Sequence, residues 1–261
     1  MENKDACFQI RGLSFAYDNK TVLRDLNLDI PKGRITTLIG PNGCGKSTLF
    51  QLLTKNLEPN EGGIALDGCP IAEMSLKDFA RRVAIVHQNN TAPGDLTVER
   101  LVSYGRIPYT KMGRSPSSPE DQRLIERAMK ITGITNLRSR SIQNLSGGQR
   151  QRVWIAMALA QGTRILLLDE PTTYLDVRYQ LQILRLIRML NRRYGITILM
   201  VLHDMNQTIA YSDEIVALSG QGRVVAQGDP REVVTSEMLE QVYGVRLDVI
   251  DHGDGKIVMN F

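Results

Sequence analysis

The sequence has no hydrophobic stretch long enough to cross a bilayer. Its longest apolar runs, Ile165–Leu168 and Ile196–Leu202, fall far short of the roughly 18 residues that a spanning helix needs. The N-terminal MENKDACFQIRG mixes acids and bases without an apolar core segment, so no secretory signal is expected. Cysteine is scarce, with only Cys7, Cys44 and Cys69. The odd number, and the lack of CxxC or CxH spacing, speak against a disulfide framework or a zinc site and fit a reduced, cytoplasmic compartment. Neither sign of charge dominates: Lys and Arg total 32, Asp and Glu 28, for a net +4. Such mild basicity permits nucleotides, nucleic acid or anionic lipid without choosing among them. Internal repeats, heptad runs and low-complexity tracts are also missing, which argues against solenoids and coiled coils.

What is present is ordinary globular composition, 42% hydrophobic and 23% charged over 261 residues. Such a chain can build one sizeable α/β core, and a single domain with lobes is expected. Residues 7–17 and 26–30 alternate apolar and polar, as half-buried strands do, and Pro31-Lys32-Gly33 is a turn. Further short strands are predicted at 34–39, 63–67 and 83–86, and a helix from Thr48. Strand signals then vanish between about 89 and 162. MGRSPSSPED at 112–121 reads as a surface loop, and helices are predicted at about 119–132 and 147–161. This stretch reads as a helical lobe, 89–162, inserted between core segments 1–88 and 163–261. Buried strands follow at 165–169 and 196–202. Between them, Leu181, Leu184, Ile187 and Leu190 share one face of a helix at 177–194. Hairpins are predicted at 214–228 and 245–261, the second turning at 252–255.

Three motifs carry chemistry. The first is GPNGCGKS at 40–47, a complete GxxxxGK[ST] loop between a predicted strand and a predicted helix. Glycines 40, 43 and 45 let the backbone curl so that successive N–H groups point at phosphate oxygens, and the helix start adds partial positive charge. Lys46 is placed to reach the β- and γ-phosphates, and the Ser47 hydroxyl to ligate Mg²⁺. The second motif, ILLLDE at 165–170, delivers Asp169 and Glu170 to the carboxyl end of a strand, where open α/β folds bind ligands. Asp169 suits the Mg²⁺ shell, and Glu170 suits the polarisation of an attacking water. The third, LSGGQRQR at 145–152, opens a helix with Ser146 and two glycines. It is a second anion site, surplus to one nucleotide and so suited to use in trans, or a plain N-capped helix.

Together with Gln88, Leu175-Asp176 and His203, these motifs resemble, in order and spacing, the ATPases of ABC transporters over nearly the whole chain. The resemblance implies a P-loop NTPase core of α/β class, with an N-terminal antiparallel β subdomain and an inserted helical subdomain. It implies a head-to-tail pair of subunits. Each ATP with its Mg²⁺ would lie between Gly40, Pro41, Asn42, Gly43, Cys44, Gly45, Lys46, Ser47 and Thr48 of one subunit and Ser146, Gly147, Gly148 and Gln149 of the other. Tyr17 matches the aromatic that stacks on adenine. Gln88 matches the glutamine that touches Mg²⁺ and water and senses the membrane partner. Asp176 matches the aspartate that crosses between subunits, and His203 the histidine at the γ-phosphate. His87 and His252 match no family residue and read as surface histidines. Trp154, Met157 and Leu159 read as core, and Cys44 as a small buried filler.

VSYGRIPY at 102–109, DEPTTYLD at 169–176 and HDMNQTIAYSD at 203–213 resemble more closely the importer ATPases for ferric siderophores, ferric citrate, haem and cobalamin. His87 stands where proline is frequent in the family. The resemblance implies polytopic permease subunits as partners, an extracytoplasmic binding protein acting indirectly, and a peripheral place on the cytoplasmic face of the inner membrane. Ferric siderophore or ferric citrate is the expected cargo, with cobalamin, haem and molybdate-type oxyanions as alternatives. Two rivals are a soluble ABC ATPase acting on nucleic acid or ribosomes and a non-catalytic module. The single cassette opposes the first. Intact Lys46, Asp169, Glu170 and His203 oppose the second.

Overall fold

The computed structural model describes residues 5–110, 116, 118–252 and 255–259. The chain divides into two compact units, one formed by residues 1–74 and 197–261 and the other by residues 75–196.

The first unit opens with two long strands, β1 (Ala6–Tyr17) and β2 (Lys20–Pro31), paired antiparallel. The second is longer than its alternating stretch at 26–30 suggests, because Leu23 pairs with Phe15 and is buried with it. A short all-buried strand, β3 (Ile35–Ile39), leads into a glycine-rich loop and helix α1 (Lys46–Leu53). Strands β4 (Glu61–Leu66) and β5 (Cys69–Pro70) then complete a four-stranded sheet in the order β2-β1-β4-β5. Phe8, Ile10, Leu13, Leu26, Ile30, Ile64 and Leu66 are buried. Gly62 makes the β1–β4 pairing possible: its φ is +73°, and a Cβ there would lie 2.4 Å from the Arg11 carbonyl oxygen. The register shifts at that point, as a β-bulge requires.

The second unit begins with the short helix α2 (Leu76–Ala80) and strand β6 (Val83–Val86). Three helices follow: α3 (Val98–Ser103), α4 (Pro119–Thr132) and α5 (Gly147–Ala160). Of the loop expected at 112–121, residues 112–115 and 117 lie outside the described residues. Ser118 caps α4 in a capping box with Asp121, with Pro119 in the first turn, and Gly133 ends the helix. Strand β7 (Ile165–Leu168) pairs parallel with β6, Val86 opposite Leu168. Helix α6 (Val177–Tyr194) starts at an Asp176 cap and stops at Gly195. It buries Leu184, Ile187 and Leu190 as the periodicity predicts, with Ile183 and Leu186 added and Leu181 half-buried.

The chain then returns to the first unit. Strand β8 (Thr197–Val201) runs parallel beside β3, and helix α7 (Met205–Tyr211) follows. Strand β9 (Glu214–Leu218) lies on the other side of β3, and its hairpin partner is β10 (Val224–Gly228), so these strands run β10-β9-β3-β8. Helices α8 (Pro230–Val233) and α9 (Ser236–Tyr243) precede a last antiparallel pair, β11 (Asp248–His252) and β12 (Gly255–Met259). That pair is the expected second hairpin; residues 253 and 254 of its turn lie outside the described residues. Val234, Leu239, Val242 and Val258 close a core against Ile39, Ile215 and Ala217. None of the described helices is long and apolar enough to cross a membrane.

Candidate functional site

In the first unit, β3 ends at Ile39 and the loop 40–45 departs from its carboxyl end. Gly40, Gly43 and Gly45 have φ of +149°, +78° and +102°, values that L side chains rarely adopt. Space also demands glycine at two of them. A Cβ on Gly40 would lie 2.6 Å from the Leu218 carbonyl oxygen, and one on Gly45 would lie 2.5 Å from Leu23 Cδ2. Helix α1 begins at Lys46 instead of Thr48, because left-handed Gly45 serves as its N-cap. No side chain caps this start and its first turn carries no acid, which leaves the partial positive charge of the helix end directed into the loop.

Lys46 is buried, and its ammonium donates to the carbonyls of Gly40 at 2.7 Å and Pro41 at 2.9 Å. A desolvated cation held by two carbonyls is preorganised for a polyphosphate and loses little freedom on binding one. Ser47 is exposed beside it, while Cys44 and Thr48 are buried. Burial pushes the Cys44 thiol up, partly offset by neighbouring Lys46. Tyr17, at the end of β1, is 46% exposed, meets Phe15 edge-on at 4.9 Å and donates to Gln51 of α1 at 3.4 Å. An exposed ring face beside the helix that carries the loop is available for stacking. The parallel register of β3 and β8, Leu38 opposite Val201, puts exposed His203 on the same sheet edge as the loop.

Tyr243 went unnoticed in the sequence. The phenol of this α9 residue shares a hydrogen bond with the Gly40 backbone, and burial raises its pKa to about 12. No motif marks it, because it lies about 200 residues from the loop and is brought there by packing against the core cluster that contains Ile39.

In the second unit, the parallel β6–β7 register brings Gln88 and Asp169-Glu170 to one carboxyl edge, where the Asp169 amide donates to Val86 at 2.9 Å. Gln88 Nε2 donates to Glu170 Oε2 at 2.5 Å, and Thr173 Oγ1 donates to the same oxygen at 2.9 Å. Glu170 and Tyr174 have φ of +48° and +63°. Such backbone costs on the order of 1–3 kcal/mol per residue and collects at functional turns. His87 lies at the surface, and partial desolvation of its ring lowers its pKa.

Ser146 caps α5, with Gln149 completing a capping box: the Gln149 amide donates to Ser146 Oγ at 3.4 Å and the Ser146 amide to Gln149 Oε1 at 3.1 Å. Gly147 is exposed. Gly148 is glycine for packing, since a Cβ there would lie 2.6 Å from the Tyr179 ring. Asp176 caps α6 by accepting from the Tyr179 amide at 3.1 Å. Trp154 is buried, whereas Met157 and Leu159, read as core, are half-buried.

A phosphate-cradling glycine loop between a parallel strand and a helix, with its lysine turned inward, defines the class: a P-loop nucleotide-binding ATPase of the α/β kind. The family described as ABC transporter matches residues 23–173, and this chain belongs to it. Among its relatives, the ferric enterobactin transport ATP-binding protein FepC of Escherichia coli (strain K12) is 47% identical over 93% of this chain and 90% of its own length. The iron(3+)-hydroxamate import ATP-binding protein FhuC of Bacillus subtilis (strain 168) is 48% identical over 91% of this chain and 88% of its own. The dimeric structure of a bacterial ABC transporter cassette matches with a TM-score of 0.73 at 26% identity, covering 86% of this chain and 99% of that one.

Proposed function

We propose that this chain is the ATP-hydrolysing subunit of a membrane importer for ferric siderophores. The observation that carries the reading is an intact phosphate loop in a chain matched along nine-tenths of its length by two iron-chelate import subunits. Two copies of the chain work as a pair, in keeping with the dimeric cassette whose fold it shares. The loop residues 40–48 of one copy and Ser146–Gln149 of the other hold ATP, with Tyr17 on the adenine and Asp176 at the contact between copies. Polytopic permease subunits hold the pair at the cytoplasmic face of the inner membrane. They receive cargo from an extracytoplasmic binding protein and dock on the helical subdomain, residues 89–162.

The chemistry is phosphoryl transfer to water. Lys46 binds and neutralises the β- and γ-phosphate oxygens. Glu170 takes a proton from the attacking water, whose oxygen forms the new bond to phosphorus as the bond to the ADP oxygen breaks. His203 donates to the γ-phosphate. Ser47, Asp169 and Gln88 offer a hydroxyl, a carboxylate and an amide oxygen, the hard donors that suit Mg²⁺ alongside nucleotide phosphates; when bound, the ion supplies charge neutralisation.

The test is uptake. A strain lacking this gene should fail to import a radiolabelled ferric siderophore while importing unrelated solutes normally. The wild-type gene should restore uptake, and Glu170→Gln should not. Unchanged siderophore uptake in the deletion strain, with another solute lost, would overturn the cargo and leave the ATPase standing.

A further inference from the structure

Glu170 lies two residues past the apolar strand β7, and its side chain has three torsions to fix before one carboxylate oxygen can point at water. Its backbone is already turned into the left-handed region at φ +48°. The residues after it form two successive tight turns. The Thr173 amide donates to the Glu170 carbonyl at 3.2 Å, and the Leu175 amide donates to the Thr172 carbonyl at 3.3 Å. Thr172 is buried, which anchors the turn. These turns bring the Thr173 hydroxyl back over the carboxylate that the chain has just left. Thr173 Oγ1 then donates to Glu170 Oε2 at 2.9 Å, the same oxygen that accepts from Gln88 Nε2 at 2.5 Å.

Two donors arriving at one oxygen from different segments do what neither does alone. One hydrogen bond leaves the carboxylate free to rotate about the donor. Two define its plane. Threonine suits this task because its β-branch limits χ1, so the hydroxyl is held with little entropic loss. The motif reading accounted for Asp169, Glu170 and Asp176 and left the Thr-Thr-Tyr between them without a role.

We infer that Thr173 is a positioning residue for ATP hydrolysis, orienting the Glu170 carboxylate through Oε2 together with Gln88. The inference rests on Glu170 being the base, as proposed above. Thr173 need not touch the nucleotide, so its loss should slow the chemical step and spare ATP binding.

The experiment is steady-state ATP hydrolysis by the full chain, with kcat and KM for ATP measured separately. Thr173→Val, which keeps the shape and removes the hydroxyl, should lower kcat roughly tenfold, the order expected for one hydrogen bond to a charged group, with KM within about twofold. Thr173→Ser should restore kcat to within about threefold. Added to Gln88→Ala, Thr173→Val should cost a different factor than it does alone, because both donors act on one oxygen. A kcat for Thr173→Val equal to wild type, a serine variant as slow as the valine, or a strictly multiplicative double variant would overturn the inference. If valine disturbs the turn, seen as a lowered Tm, Thr173→Ala is read in its place against the same serine rescue. Glu170→Gln is run in parallel. If it leaves turnover intact, the assignment of the base itself falls. If it abolishes turnover while Thr173→Val does not slow it, only the role of Thr173 falls.

Discussion

The two units carry opposite charge. Residues 1–74 and 197–261 hold 12 Lys and Arg against 19 Asp and Glu, a net of −7. Residues 75–196 hold 20 against 9, a net of +11. The chain total of +4 conceals both. The phosphate loop belongs to the acidic unit. What suits that loop to an anion owes nothing to net charge: left-handed glycines, an uncapped helix start and one buried lysine. In the basic unit, by contrast, arginine is largely a building material. Arg106 is buried, pairs with Asp121 at 2.8 Å and donates to the last carbonyls of α5, Ala160 at 3.1 Å and Gln161 at 2.9 Å. Arg152 closes the end of α4 by donating to the Thr132 carbonyl at 3.1 Å and reaches Gln182 of α6 at 2.9 Å. The Arg106 and Arg127 guanidinium groups lie over Tyr109 and Tyr194 at 4.0 and 5.5 Å. Guanidinium suits these tasks because its planar fork can serve two carbonyls at once and stack on a ring. A charge count therefore says little about which unit meets an anion.

The contrast can be broken most directly at Lys46. If anion binding in the acidic unit depends on this one cation, Lys46→Ala should lower ATP turnover by a factor on the order of 10²–10³ or more. An ATPase assay at saturating Mg²⁺ and ATP reads the loss. Near-normal turnover would show that the rest of the loop suffices.

The next effect concerns the structural use of arginine. Arg106→Met should leave the Asp121 carboxylate buried without its partner and two helix-end carbonyls without a donor. Breaking such a pair typically costs about 3–5 kcal/mol, so the urea midpoint for unfolding should fall steeply. A midpoint within experimental error of wild type would mean that Arg106, too, is only net charge.

The smallest effect sharpens the same point at the same end of α4, where Ser118 and Arg106 share the Asp121 carboxylate. Burial opposes ionisation of Asp121, yet the Arg106 and Ser118 hydrogen bonds outweigh it and hold its pKa below the ordinary carboxylate value. A depressed folded pKa adds stability that is present above the unfolded value, near pH 4, and lost as the pH falls through the folded value. Ser118→Ala should cost about 1 kcal/mol at neutral pH through the lost cap. It should also narrow the gap between folded and unfolded pKa values, so the penalty should shrink in acid. Urea titrations at neutral and acid pH would show this, and a penalty that grew in acid would contradict it.

Local patterns that act through the backbone were legible in the sequence. The loop at 40–47 showed itself because only glycine tolerates its torsions, and the capping signal at Ser146 because a side chain must meet the amides of a helix start. The buried strands 165–168 and 197–201 were legible because unbroken apolar runs between turn signals have few alternatives. Helices α2, α3, α7, α8 and α9 were not singled out; all are eight residues or shorter, too few turns for periodicity to show.

The sequence by itself determined where the glycine loop with its lysine lies and which strand ends carry the acids, because those chemistries demand fixed residue types at fixed spacing. Only the tertiary structure decided what those residues touch. Parallel register brought Gln88 onto Glu170 from 82 residues away, and packing on the cluster around Ile39 brought Tyr243 to Gly40. Tertiary packing also made Gly148 a contact for Tyr179 and set Arg106 against the end of α5 54 residues on. Contacts between distant segments are set by packing summed over many side chains, and no local pattern encodes that sum.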